Sequence, residues 1–570
     1  MLTGRRWTLL LAVALLVVAC DGGSDVGGGD REPTRGVKRG TLQVVNHGDV
    51  DALDPGIAYG AVDWALLRGV VRELYSFDSR LQDERRLMPV PDLADGPYRL
   101  SPDGRTYTFR LRKGVRYAPP VDREVEARDF VYAVERQLDK ANPSPNPYLS
   151  LIDGVAEFAA GKARSISGMR ARGRSTLEIT LEQPASDFPS ILTLPFFSPV
   201  PEEYASGFKP GREYAAKLAA SGPYRVNSYV PGRLIELERN PNWDPKTDPL
   251  RSAWVDKVVV TIGRSEKGIQ QAIEQGEADL NLDLIPPPNA DLQRLSGDRD
   301  LSGQLAVETT GCVHYLTMQI DDGPTREREV RQAVNYAIDR QAVVLALGGR
   351  YAGEPASTIL SPTLAGYSAF DLYPSQDARG DPEKAKALLA EAGHPKGVTL
   401  TYAGQSSAPW KAMYEALEAS LLRAGIRLEP KFYKYPDVYN RSLRLQAKKA
   451  EHHLGAARFC PDYPGNGSRS FIGVLLDGRK ITPTANNNFG NYDNPKVNAL
   501  IDQAYAAQDE RARNARWGQI DRLAMEDAAW APLVYDRSAF FWSARVRNWT
   551  FTPWLSNPDI TNLWLDPNTP

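Results

Sequence analysis

Cysteine is scarce in this chain: three in 570 residues, at 20, 312 and 460, with no Cys-x-x-Cys pair. Histidine is nearly as scarce, with five in all, His47, His314, His394, His452 and His453, and no His-Glu-x-x-His. Metal centres need ligands converging at defined spacings, so no metal and no other cofactor is expected, and the adjacent His452 and His453 read as solvent-facing. An excess of one charge is also missing. Lys and Arg number 69 against 71 Asp and Glu, for a net charge of −2, so no overall field recruits nucleic acid or an anionic membrane. There is no Gly-x-Ser-x-Gly elbow, and GVAEFAAGKA spaces its glycines seven apart where a P-loop requires five, without a Ser or Thr after the Lys. A carboxylate pair for glycoside cleavage cannot be recognised by spacing, because such pairs meet only in space.

What is present is a long chain with 42% hydrophobic residues, enough for a sizeable core divided into two or three domains. Arg5 and Arg6 precede an apolar run, Trp7 to Ala19, that is short for a membrane span and placed like the apolar segment of a secretory signal. Val17-Val18-Ala19-Cys20 looks like a bacterial lipobox, so residues 1–19 read as a signal peptide and Cys20 as a lipidated N-terminus. Residues 20–39, rich in Gly, Asp and Arg, read as a flexible tether. The expected location is the extracytoplasmic face of a bacterial membrane, held by acyl chains. With Cys20 lipidated, Cys312 and Cys460 most simply form one disulfide in an oxidising compartment, the alternative being two separately buried thiols.

The most informative stretch runs from Leu100 to Leu138. Ser101-Pro102-Asp103-Gly104 suits a type I turn. Thr106 to Arg112 alternates, with Tyr107, Phe109 and Leu111 on one face, as a half-buried strand does. Phe130, Val131, Val134 and Leu138 then recur at helical spacing, with Asp129 in the first turn. SPDGRTYTFRLRKGV followed by EARDFVYAVER resembles the signature region of the family 5 extracellular solute-binding proteins, the peptide- and nickel-binding receptors of ABC importers. That family usually has Thr where this chain has Glu126, a poorer cap, so a weaker cap on the same helix is expected. The resemblance implies an α/β, two-lobed fold of the periplasmic-binding-protein type, of the large peptide-binding class (type II) with an extra subdomain in lobe 1.

The remaining pattern agrees. Thr41 to Asn46 reads as a strand, residues 62–74 as a helix, and TLEITL, SGPYRVNSYV, RLIELER and VDKVVVTIG as strands. From Thr309 the chain enters a segment of alternating strands and helices, including a helix at Asp381-Pro382 with its cap and proline in place. The expected division is lobe 1 over 40–308 and 530–570, with an inserted subdomain about 76–200, and lobe 2 over 309–529. Two crossings between lobes make a hinge.

Ala457-Arg458-Phe459-Cys460-Pro461-Asp462-Tyr463-Pro464 looks like the family's aromatic-x-x-Asp-Tyr segment, whose Asp pairs with the ligand's α-ammonium in peptide-binding members. By that resemblance Asp462 is the anion and Phe459 a cleft wall, with Arg458, Tyr463 and Tyr315 as neighbours. Asn46, His47 and Asp49 in the NHGDVDALDPG loop are further candidates, and like Asp51 they equally suit a solvated turn. A departure follows Asp462: the family often has a second acidic residue where this chain has Gly465-Asn466-Gly467, so the ligand is open to difference. The expected role is a monomeric lipoprotein that binds di- or oligopeptides without enzymatic action and delivers them to ABC permease subunits. The alternatives are a receptor of the same fold for a nickel chelate, sugar or opine, a surface hydrolase using cleft carboxylates, and a sensor-linked lipoprotein.

Overall fold

The computed structural model describes residues 36–569 except 82, 140–141, 143–145, 436, 446–450, 466 and 485. The expected signal peptide, Cys20 and most of the expected tether lie outside the described residues. Three sheets organise the rest. In the first, Thr41–Asn46 pairs in parallel with Lys257–Ile262, which continues antiparallel to Leu234–Arg239 and Tyr224–Val230. Leu42 and Val44 point inward, as does every second residue of the two central strands.

The second sheet, of Arg99–Leu100, Thr106–Arg110, Thr176–Thr180 and Met169–Arg172, is antiparallel throughout. Its register sets Tyr107 against Ile179 and Phe109 against Leu177, all four buried. The turn before it closes through Gly104 N–H donating to the Ser101 carbonyl at 2.9 Å, with Gly104 at φ +72°, where glycine is favoured. The helix Ala127–Gln137 follows. Asp129, three residues on from Glu126, accepts from the Glu126 N–H at 2.9 Å, so the cap comes from inside the helix. The helix expected over 62–74 spans Ala61–Val70, the Val70 carbonyl accepting instead from the N–H groups of Ser221 and Gly222.

The third sheet orders Gly353–Pro355, Trp530–Phe541, Leu305–Met318, Leu454–Phe459, Val398–Gln405 and Ile426–Tyr433. Its two longest strands, Leu305–Met318 and Trp530–Phe541, 14 and 12 residues long, pair antiparallel and connect separate cores. Leu305, Ala539 and Phe541 pack with Val45 and Ile269 beside the first sheet, whereas Val313, Leu316, Leu533 and Val534 lie in the core of the second lobe. Between these ends the ladder breaks: Thr309 opposes Arg537 and Val313 opposes Tyr535, so three residues face Asp536 alone. That is a bulge, and bulges bend strands. The helix cap expected at Asp381 is made, Lys384 N donating at 2.9 Å, and Asp339 caps the helix Arg340–Leu347 in the same way, accepting from Ala342 N at 2.9 Å. His452 departs from the solvent-facing expectation. It is buried, and its ring nitrogens meet Ser442 and Gln319, while Nδ1 of half-buried His453 accepts from Thr401 N at 3.0 Å.

Candidate functional site

The strand Leu454–Phe459 ends at a loop that carries Cys460, Asp462 and Tyr463 against the first lobe. Val313 and Phe459 form the last pair between their two strands, so Cys312 and Cys460 fall opposite one another and are joined in a disulfide, Cα atoms 4.1 Å apart. The crossing strand and the loop are thereby tied at the bulge. Thr363 Oγ1 and Pro461 press on Gly311, φ +83°, so a side chain there would be both strained and crowded.

The Asp462 carboxylate meets two phenols from the other lobe. Tyr59 donates to Oδ1 at 2.6 Å, Tyr148 donates to Oδ2, and the Asp462 N–H donates to Ser470 Oγ at 3.0 Å. Burial pushes this carboxyl above its ordinary value, and the two hydroxyls only partly offset it. Tyr59 comes from the loop before the Ala61–Val70 helix and remains 56% exposed, so one side of the arrangement is open. Its ring packs on Trp64 (5.7 Å between centroids) and Phe196 (6.2 Å), which pack on each other edge to face. A carboxylate beside aromatic faces is suited to a cationic group.

The neighbouring residues are fixed by other partners. Tyr463, with 0% exposure, is held in the first-lobe core, its hydroxyl donating to Asp187 Oδ2 at 3.0 Å; Arg469 Nε reaches the same oxygen at 2.6 Å. Arg458 gives its charge to Asp536, through Nη2 at 2.6 Å and Nε at 3.1 Å, with Thr310 Oγ1 at 3.0 Å and His314 Nε2 at 3.4 Å from the same carboxylate. Burial alone would raise Asp536; Arg458 and His314 override it and hold the group well below the usual carboxylate range. Phe459 is half-buried against Phe471, 5.8 Å between centroids.

The other anticipated residues are not gathered at Asp462 by the bonds they make. Tyr315 is fully buried in the second-lobe core, stacked 3.6 Å from Trp530. Asn46 is buried and accepts from Leu282 N at 3.0 Å. His47 donates its N–H to Asp283 and its Nδ1 lies 2.8 Å from the Arg264 carbonyl. Asp49 accepts from Gly232 N at 2.6 Å and Tyr229 at 3.2 Å, pinning the hairpin of the first sheet. It is Tyr59, three residues beyond that loop, that reaches Asp462. Sequence reasoning missed Tyr59, Tyr148, Asp187 and Asp536. The only local signal was an aromatic residue within a turn-rich loop, GIAYG for Tyr59 and NPSPNPY for Tyr148.

A family model described as bacterial extracellular solute-binding proteins, family 5 middle, matches residues 88–468. Heme-binding protein A of Haemophilus influenzae is 28% identical over 479 residues, covering 81% of this chain and 82% of its own length. The dipeptide-binding protein of Escherichia coli is 27% identical over 469 residues, 79% of this chain and 81% of its own. Among solved structures, clavulanic acid biosynthesis oligopeptide binding protein 2 superposes with a TM-score of 0.87 at 32% identity, over 93% of this chain and 96% of that one.

Proposed function

Because the chain belongs to the bacterial extracellular solute-binding proteins of family 5, we propose that it captures a peptide between its lobes and passes it, chemically unaltered, to an ABC permease. The observation that carries this reading is the Asp462 carboxylate, presented by one lobe and held by Tyr59 and Tyr148 of the other. A ligand α-ammonium entering beside Tyr59 finds a partly buried anion whose present partners are neutral. The charge-assisted hydrogen bond formed there is worth roughly 1.5 to 3 kcal/mol. Phe459 serves as an apolar wall, and Arg458, already paired, supports the wall rather than the ligand. The dipeptide- and oligopeptide-binding names of two relatives support peptides as the ligand class.

Closure is driven by contacts to both lobes, in proportion to the ligand's preference for the closed arrangement. The two long strands are the crossings on which the lobes swing, flexing at the bulge opposite Asp536. Lipid at Cys20 keeps the receptor beside its permease as a membrane-anchored monomer. The test is calorimetry with a tripeptide, Ala-Ala-Ala, on the wild type and on Asp462→Asn: the substitution is expected to weaken binding about tenfold or more. Equal affinity removes Asp462 from the site, and release of cleaved peptide overturns the receptor reading.

A further inference from the structure

The loop that carries Asp462 runs from Phe459, the end of its strand, to the helix Ser468–Leu475. It turns tightly, and Gly467 leaves no room for a Cβ against the Tyr463 carbonyl. Its anchors converge on one carboxylate of the first lobe, Asp187. Tyr463, the residue after Asp462, donates its hydroxyl to Asp187 Oδ2 at 3.0 Å. Arg469 donates Nε to the same oxygen at 2.6 Å and is the chain neighbour of Ser470, whose Oγ accepts the Asp462 N–H at 3.0 Å. The Tyr463 ring also meets the Tyr148 ring edge to face, 6.1 Å between centroids, and Tyr148 is the phenol that donates to Asp462 Oδ2. Asp187 thus reaches the Asp462 carboxylate by three short routes: its following residue, the helix turn that holds its N–H, and the phenol on its oxygen.

Asp187 is itself firmly placed. Tyr107, from the strand Thr106–Arg110, donates its hydroxyl to the Ala185 carbonyl at 2.8 Å. Phe188, fully buried, packs on the Tyr107 ring at 5.2 Å and on Phe197 at 6.3 Å between centroids. On the other side the Arg469 guanidinium lies 3.6 Å from the Tyr505 ring centroid, so the cation is clamped between a carboxylate and an aromatic face. Asp187 is 4% exposed and matched by Arg469, which leaves it no charge for a ligand; it acts only through these partners. Without its carboxylate, a buried phenol and a buried guanidinium lose their partner together, and the loop between them loses its direction.

We propose that Asp187 is a positioning residue of the binding site: by holding Tyr463 and Arg469 it aims the Asp462 carboxylate at the ligand's α-ammonium. This rests on the peptide-binding reading above. Asp187 belongs to the first lobe and the loop to the second, so the carboxylate is aimed only while the lobes are together, and the ammonium contact adds to the ligand's preference for the closed arrangement.

The experiment is calorimetry with Ala-Ala-Ala and propionyl-Ala-Ala, which lacks only the α-ammonium, on the wild type, Tyr463→Phe and Asp187→Asn. The wild type is expected to favour Ala-Ala-Ala about tenfold or more. Tyr463→Phe, which keeps the ring and the Asp187–Arg469 pair, narrows this to about threefold, and Asp187→Asn to within about twofold, while propionyl-Ala-Ala binds all three within about twofold. A preference that stays at the wild-type value in Tyr463→Phe, whatever the overall affinity, is the mark of a purely structural role and overturns the proposal; that variant also decides if Asp187→Asn does not fold. If the wild type binds neither peptide or favours neither, the peptide reading itself fails, and hydrogen exchange over 460–470 in the ligand-free protein decides the positioning role. Exchange about fivefold or more faster there in Tyr463→Phe, with the strands of the first sheet unchanged, upholds it; equal exchange overturns it.

Discussion

Asp462, on the loop after the Leu454–Phe459 strand, and Asp536, at the bulge of the Trp530–Phe541 strand, are both largely shielded from water, yet their environments are opposite. Asp536 is surrounded by Arg458, His314 and Thr310 and is held as an anion. Asp462 meets two neutral phenols, and burial raises it. A carboxylate that already has its cation is a structural element, and one that lacks it is a candidate site. Counter-charge inventory therefore separates function from support better than residue type does: Arg458 is a side chain one would give to a ligand, and the fold gives it to Asp536.

That contrast can be broken by exchange. Asp536→Asn strips the partner from Arg458 and is expected to cost stability heavily, roughly 2 to 4 kcal/mol by denaturant unfolding, since Arg458 is 36% exposed and part of the penalty for a bereft charge is screened. Asp462→Asn should leave the unfolding midpoint nearly unmoved while removing ligand affinity. A stability loss as large as that of Asp536→Asn would erase the distinction.

The next effect is a pH dependence of opposite sign in the two classes. The depressed Asp536 lends stability above the unfolded carboxylate value of about 3.9 and loses it as the pH falls towards its folded value. The raised acids behave in reverse. Asp63 and Asp521, pushed by burial to about 7, and Glu73, to about 8, lend stability in acid that is lost as the pH rises through those values. Unfolding at pH 6 and pH 9 should therefore show a decline of about 5 kcal/mol if all three act independently, smaller by about 1.4 kcal/mol in Asp521→Asn. A stability that climbs over that range would contradict the assignment.

The smallest expected effect is that of Tyr59→Phe. Removing one hydroxyl from a half-exposed ring deletes one interlobe hydrogen bond, worth about 1 kcal/mol in unfolding of the ligand-free protein. No change would mean that the phenol contributes nothing to holding the lobes together.

Much of the architecture was legible because it depends on neighbours in sequence. The Ser101–Gly104 turn and the Asp381 cap each arise from bonds within a few residues and stand as expected, and the alternating strand expected over Thr106 to Arg112 forms over Thr106–Arg110. The 62–74 helix ended early because distant Ser221 and Gly222 claimed the Val70 carbonyl. Tyr315 and Tyr463, plausible cleft residues by position, are wholly interior because the strand pleat and the Asp187 contact turn them inward. The Cys312–Cys460 bond lay between: both thiols were countable, but only the Val313–Phe459 register brings them together.

Local elements and the family to which they belong could be read along the chain, since turns, alternation and caps are written over short spans, and Asp462 stood out there as a candidate. Only the tertiary structure decided which charges are already matched. Tyr59 and Tyr148 lie 403 and 314 residues from Asp462, and Arg458 lies 78 from Asp536. Electrostatic balance is set by distances through space, and no spacing along the chain encodes them.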